Sequence, residues 1–172
     1  MKNIIRISSI LLILCMVSFG SYAQKKQKFG HIDSQELLKL MPGRDSAVNV
    51  ITEYAKTLEN QIKGMQTEFE NKYQDFLANE GNMTDLIKQT KTRELQDIQA
   101  RIEAFQTSAE EDLQKKQTEL LQPIIDKAKA AIEKVAKDNQ YTYIFDAGLG
   151  VLLFMDPTED IMPLVKIELG IK

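Results

Sequence analysis

Reactive side chains are scarce in this sequence. Of its 172 residues one is a cysteine, Cys15, and one a histidine, His31. Cys15 follows Leu14 inside an apolar stretch, a poor setting for lipid attachment, and reads as a small apolar residue of a leader. A single histidine cannot build a multi-histidine metal centre. His31 falls in an extended segment, where packing against a strand is the plainer role and a pH-responsive group the sharper one. The acidic run Glu110-Glu111-Asp112 reads as a solvated, flexible stretch of helix. Lys88, Lys91 and Arg93 form a small basic cluster, which solvated helix charges explain more simply than a capture site does. No glycine-rich phosphate loop, paired metal ligands or nucleophile–base–acid set is present. That argues against an enzyme and predicts no cofactor.

The first residues explain part of this poverty. Lys2 and Arg6 precede an apolar stretch from Ile7 to Phe19, and Ser21-Tyr22-Ala23 offers small residues for cleavage before Gln24. The pattern predicts a secretory signal peptide over 1–23, too short for a membrane span, and export to an oxidising compartment without stable membrane insertion. Removing it leaves 149 residues, with no cysteine and with 20 basic against 25 acidic side chains. Disulfides, thiolate metal sites and a cysteine nucleophile are thereby excluded. The acidic balance argues against a nucleic-acid binder.

What positions the remaining residues is mostly helix. From Asp45 to Lys137 only Pro123, Gly64 and Gly81 interrupt a run rich in Ala, Glu, Lys, Gln and Leu. Ile51, Leu58 and Met65 recur every seven residues, as do Ala55, Ile62, Phe69 and Phe76, which together make a coiled-coil seam. Asn79-Glu80-Gly81-Asn82 predicts a reversal, so the tip lies near 79–84, and Thr84 can cap a second helix. Its seam runs through Leu95, Ile98, Ile102, Phe105 and Ala109. It then shifts phase through Leu113, Leu120 and Ile124 to Ala128, Ala131 and Val135. Glu110 to Gln117 breaks the heptads like a stutter, and Pro123 should kink the helix. Limbs of roughly 50 and 80 Å follow from ~1.5 Å per residue. A hairpin that long must project from something.

The two ends of the chain supply a base. Lys28 to Asp33 reads as a strand, followed by a short helix carrying Leu37, Leu38 and Met41. Tyr141 to Phe145 reads as a second strand and Asp146 to Gly150 as a hairpin loop. Val151 to Met155 reads as a returning third strand, and a last helix follows Asp160. The predicted class is α+β and mostly helical: a long antiparallel coiled-coil hairpin on a small β-rich body. The segments are 24–44 and 123–172 for the body and 45–122 for the hairpin. So small a sheet exposes too much apolar surface to stand alone, which predicts an oligomerisation body.

The order of these features carries a family resemblance. The strand with Ile32-Asp33-Ser34, the long hairpin, Pro123-Ile124-Ile125 and Val135 to Tyr143 appear in turn. The ending Asp160-Ile161, Leu164-Val165 and Leu169-Gly170 completes the series. The mature chain resembles the Skp/OmpH family of periplasmic chaperones, and the tail block is the specific part. The resemblance implies a homotrimer in which three hairpins enclose unfolded outer-membrane proteins without ATP. It places Phe29, Ile32, Tyr143, Phe145, Val151 and Leu153 in the trimer body. Met65, Phe69, Tyr73, Phe76, Met83 and Phe105 are the candidates for client contact. Four of them, Met65, Phe69, Phe76 and Phe105, also belong to the seam, where interhelical packing is the plainer role. Tyr73 lies beside the seam, and Met83 sits at the tip, where it either meets a client or staples the turn. The family is basic and this chain is not: Asp45 to Gln122 holds 9 basic and 15 acidic residues. Neither a strongly positive cavity nor a lipopolysaccharide site therefore carries over. From residues 45–137 alone, a coiled-coil spacer or adaptor of an envelope assembly fits as well.

Overall fold

The computed structural model describes residues 27–171, so the expected leader over 1–23, with Cys15 and its cleavage site, lies outside the described residues. In chain order the elements are β1 (Phe29–Ile32), α1 (Ser34–Leu40), α2 (Arg44–Asn79), α3 (Asp85–Asp138), β2 (Tyr143–Asp146) and α4 (Met162–Leu169). Single 3-10 turns lie at Glu80–Asn82, Ala147–Leu149 and Pro157–Glu159. The fold is α+β and mostly helical, a long helical hairpin on a small two-stranded sheet.

Local chemistry sets the helix ends. The Asp33 carboxylate accepts the Glu36 N–H at 2.9 Å and starts α1. Pro42 and Gly43 break the chain, with Gly43 at φ 85°, where a side chain would strain the backbone. Helices α2 and α3 are 36 and 54 residues long, roughly 54 and 81 Å at ~1.5 Å per residue. Between them the Thr84 hydroxyl accepts the Ile87 N–H, and Asp85 in the first turn complements the helix dipole. Helix α3 closes with Tyr141 N–H on Ala136 O at 2.9 Å and Gln140 N–H on Lys137 O at 3.2 Å. That left-handed cap puts Gln140 at φ 58°, a place usually given to glycine. Helix α3 runs unbroken through Pro123. Ile124, the next residue, packs against the body core.

The body forms where the chain ends meet the root of α3. Ile32, Leu37 and Met41 pack on Ala128, Ala131 and Val135 of α3 and on Ile161 and Val165 near α4. Small residues on α3 let the other elements approach closely, while Leu37, Ile161 and Val165 are completely enclosed. Lys134 bridges α3 to Glu168 of α4 at 2.8 Å and also holds Asp138 at 2.9 Å.

The sheet differs from the one expected. Strands β1 and β2 pair in parallel, Phe29 opposite Tyr143 through Ile32 opposite Asp146. The whole hairpin is their crossover, since parallel neighbours cannot be joined by a tight turn. No third strand forms at 151–155. The reason lies in the expected hairpin loop: Asp146 accepts Gly148 N–H, the chain winds into a 3-10 turn, and Gly150 at φ 68° sends it away from β2. The other side of β1 is met instead at one point, a bridge from His31 to Asp160, with Ile161 N–H on His31 O at 3.0 Å.

Candidate functional site

The arm holds the expected contact residues, and its seam is thin. Ile51, Leu58, Met65, Ile62, Phe69 and Phe76 on α2 are each only half-buried, and so are Leu95, Ile102 and Phe105 on α3. In the arm, Ile98 is the large side chain that is fully enclosed; the other buried positions there are the small Ala47 and Ala109. Two facing helices can each cover one stripe of the other, and nothing covers their outer faces. Polar pairs fix the register. Tyr54 donates to Asp112, Arg101 reaches Glu68 at 3.7 Å, Lys72 donates to Glu94, and Lys91 lies 3.9 Å from Asp75. Partners advance along one limb as they recede along the other. The bond from Lys72 holds the Glu94 carboxyl below its ordinary pKa, and the Lys72 ammonium is raised in turn.

The sequence-predicted contact residues divide by position. Met65, Phe69, Phe76 and Phe105 sit in the seam, each half-exposed at its edge. Tyr73 is the exposed one of the set, its ring stacked on Phe69 at 6.1 Å. Met83 is half-buried and its N–H closes the tip turn on Glu80 O. The basic cluster is not a free patch, because Lys91 faces both Asp75 and Glu94. Lys88 is half-buried beside it and Arg93 is exposed. The open apolar side chains of the tip are others, Leu77, Leu86 and Ile87, with Leu86 73% exposed. Sequence carried a signal for two of them: Leu86-Ile87 follows the Thr84 cap without falling on the seam that resumes at Leu95.

A groove opens beside the broken heptads. A groove of about 600 Å³ lies between Leu58 and Ile62 of α2 and Ala109 and Leu113 of α3, edged by Glu59, Lys63 and Glu110. A smaller hollow borders Phe105, Ala109 and Asp112, and a shallow one follows α3 alone from Glu111 to Asp126 past Pro123. The acidic run therefore lines openings in the arm.

The body presents a second unfinished surface. Phe29, Tyr143 and Phe145 share the outer face of the sheet, with ring centroids 6.0 to 6.4 Å apart, and all three are exposed. Ile32 points the other way, into the protomer's own core. Val151 is exposed, and Leu153 and Phe154 lie almost wholly in solvent, at 102% and 85%. Leu149 and Phe154 were not singled out by sequence. Beneath, the Asp146 carboxylate is partly desolvated, which opposes its charge. Hydrogen bonds from Ser34 Oγ at 2.5 Å, Ser34 N–H and Gly148 N–H outweigh that and hold its pKa low. His31 Nε2 lies 2.9 Å from Asp156 O and tethers the loop before α4. Among the described residues no group of His, Cys, Asp or Glu is arranged to hold a metal ion, and no helix is long and apolar enough to cross a membrane.

This geometry has known counterparts. The family described as "Outer membrane protein (OmpH-like)" matches residues 28–169. The chaperone protein Skp of Yersinia enterocolitica is 25% identical over 162 residues, spanning 86% of this chain and 92% of that one. A crystal structure of an OmpH-like outer membrane chaperone from Caulobacter crescentus superposes with a TM-score of 0.69 at 11% identity, covering 87% of this chain and 88% of that one. At that identity it shows the shared fold.

Proposed function

The chain belongs to the OmpH-like family of outer membrane proteins, a chaperone family, and from that premise we propose an ATP-independent periplasmic holdase. It works as a homotrimer whose arms surround unfolded outer-membrane proteins and keep them from aggregating. The observation that carries this reading is the pairing of two incomplete surfaces. Phe29, Tyr143 and Phe145 with the 151–155 segment leave an apolar face that water disfavours, and copies of the chain can cover it. The arms, thinly packed along their length, then stand side by side around a shared space. Holding needs no reactive group. It needs many weak contacts and walls that yield, which half-buried seam residues and the exposed Tyr73, Leu77 and Leu86 supply.

Purified mature protein should sediment near three times the mass of the 149-residue chain. It should also suppress aggregation of a urea-unfolded β-barrel protein at about one trimer per client. A monomer, or aggregation untouched by excess protein, overturns the proposal. Phe145→Asp or Leu153→Asp should dissociate the assembly; an unchanged mass would move the interface elsewhere. Pull-downs should recover many unfolded barrels, whereas a spacer or adaptor would recover one folded partner.

A further inference from the structure

We infer that the groove at the broken seam is a docking site for client segments in which an apolar side chain is flanked by lysine or arginine. The inference rests on the holdase reading and names the client chemistry that one part of the arm prefers. Three observations carry it. The floor, Leu58, Ile62, Ala109 and Leu113, is apolar and lies under an open groove of about 600 Å³, within the ~300–1,000 Å³ usual for ligand clefts. The rim is net acidic, Glu59 from one limb and Glu110 from the other against Lys63. Among the described residues neither Glu59 nor Glu110 is engaged in an ion pair, so both remain available to a cation. Finally, the opening is held rather than incidental. Tyr54–Asp112 ties the limbs on its body side and Glu68–Arg101 on its tip side, and no cross-limb polar pair lies between them among the described residues.

Charge points to this occupant over an acidic one. The arm around the groove is negative as a whole, with 15 acidic and 9 basic residues between Asp45 and Gln122. Such a field raises the encounter rate of cationic segments, slows anionic ones, and fades with salt. A strand of a membrane β-barrel alternates apolar and polar residues, so any segment whose polar positions are basic carries the required pattern.

The test uses the full mature protein and two labelled ten-residue peptides, one with leucine and phenylalanine spaced by lysines, the other with glutamates in place of the lysines. By fluorescence anisotropy at low salt the lysine peptide should bind roughly tenfold tighter, and the preference should shrink at ~0.3 M salt as exposed charges are screened. Glu59→Gln/Glu110→Gln should remove most of that preference while helical content and oligomeric mass persist. Equal binding of the two peptides overturns the inference, as does a preference the double variant leaves intact. A change of mass in that variant would make the groove a contact between copies, which also overturns it. Failure of the unaltered protein to suppress aggregation would instead sink the holdase reading and leave the peptide result standing on its own.

Discussion

The body and the arm are built from one helix, α3, yet they are held together by different forces. At its root α3 meets elements on several sides, and Leu37, Ile161 and Val165 lose all contact with water. Along the arm the same helix meets one neighbour, and its seam residues, Ile98 and Ala109 apart, stay half in solvent while polar pairs set the register. Hydrophobic stabilisation scales with the area removed from water. The body is therefore the stable, specific part, and the arm can yield without unfolding its anchor.

The largest test of this contrast compares two leucines. Leu37→Ala in the body should cost about 3 kcal/mol, whereas Leu58→Ala in the seam should cost about 1 kcal/mol, both read from urea midpoints. Equal losses would erase the distinction. Next comes Gly30→Ala, where a Cβ would meet the Tyr141 ring at 2.9 Å and Ile161 at 3.0 Å. Overpacking there should cost about 2 kcal/mol and lower the melting temperature of the body, with the arm's helical signal little changed. Asp146→Asn should be milder, about 1 kcal/mol, since Ser34 and Gly148 keep a neutral acceptor. Acid sharpens the same point. The folded-state pKa of Asp146 lies below an unfolded value near ~3.9. Its contribution is thus complete only well above the unfolded value, by about pH 5, and is lost as pH falls toward the depressed value. The Asp146→Asn variant should show a flatter stability profile there. Smallest is Gln140→Gly, at the joint between the arm's helix and β2. Relief of φ 58° should raise stability by about 0.5–1 kcal/mol. No gain would mean that the Gln140 side chain has a compensating role.

Much of the arm was legible in sequence because a helix's contacts are local and periodic. The helices and their capping follow from composition and capping chemistry: α2 ends at Asn79, a 3-10 turn covers Glu80–Asn82, and Thr84 caps α3. The groove was legible only as a defect, the broken heptads at Glu110 to Gln117. Its volume depends on how two limbs separate, and no spacing rule gives that. The basic cluster misled for a related reason. Lys91 reads as free in sequence, and its neighbours Asp75 and Glu94 become neighbours only when the hairpin closes.

The ends of the chain were harder. Val151 to Met155 has strand composition, and propensity for β structure is mostly a statement about finding a packed neighbour. Within the chain that segment pairs with no strand, since the Asp146 and Gly150 turn leads it away from the sheet. Sequence by itself determined the helices, their caps, the reversal and the acidic balance of the arm, all set by residues a few positions apart. Only the tertiary structure decided that β1 and β2 run parallel, that Ile32 faces inward while Phe29, Tyr143 and Phe145 face out, and which carboxylates remain unpaired. The strand pairing turns on partners more than a hundred residues apart and the carboxylate pairing on partners tens of residues apart, and local spacing carries no record of either.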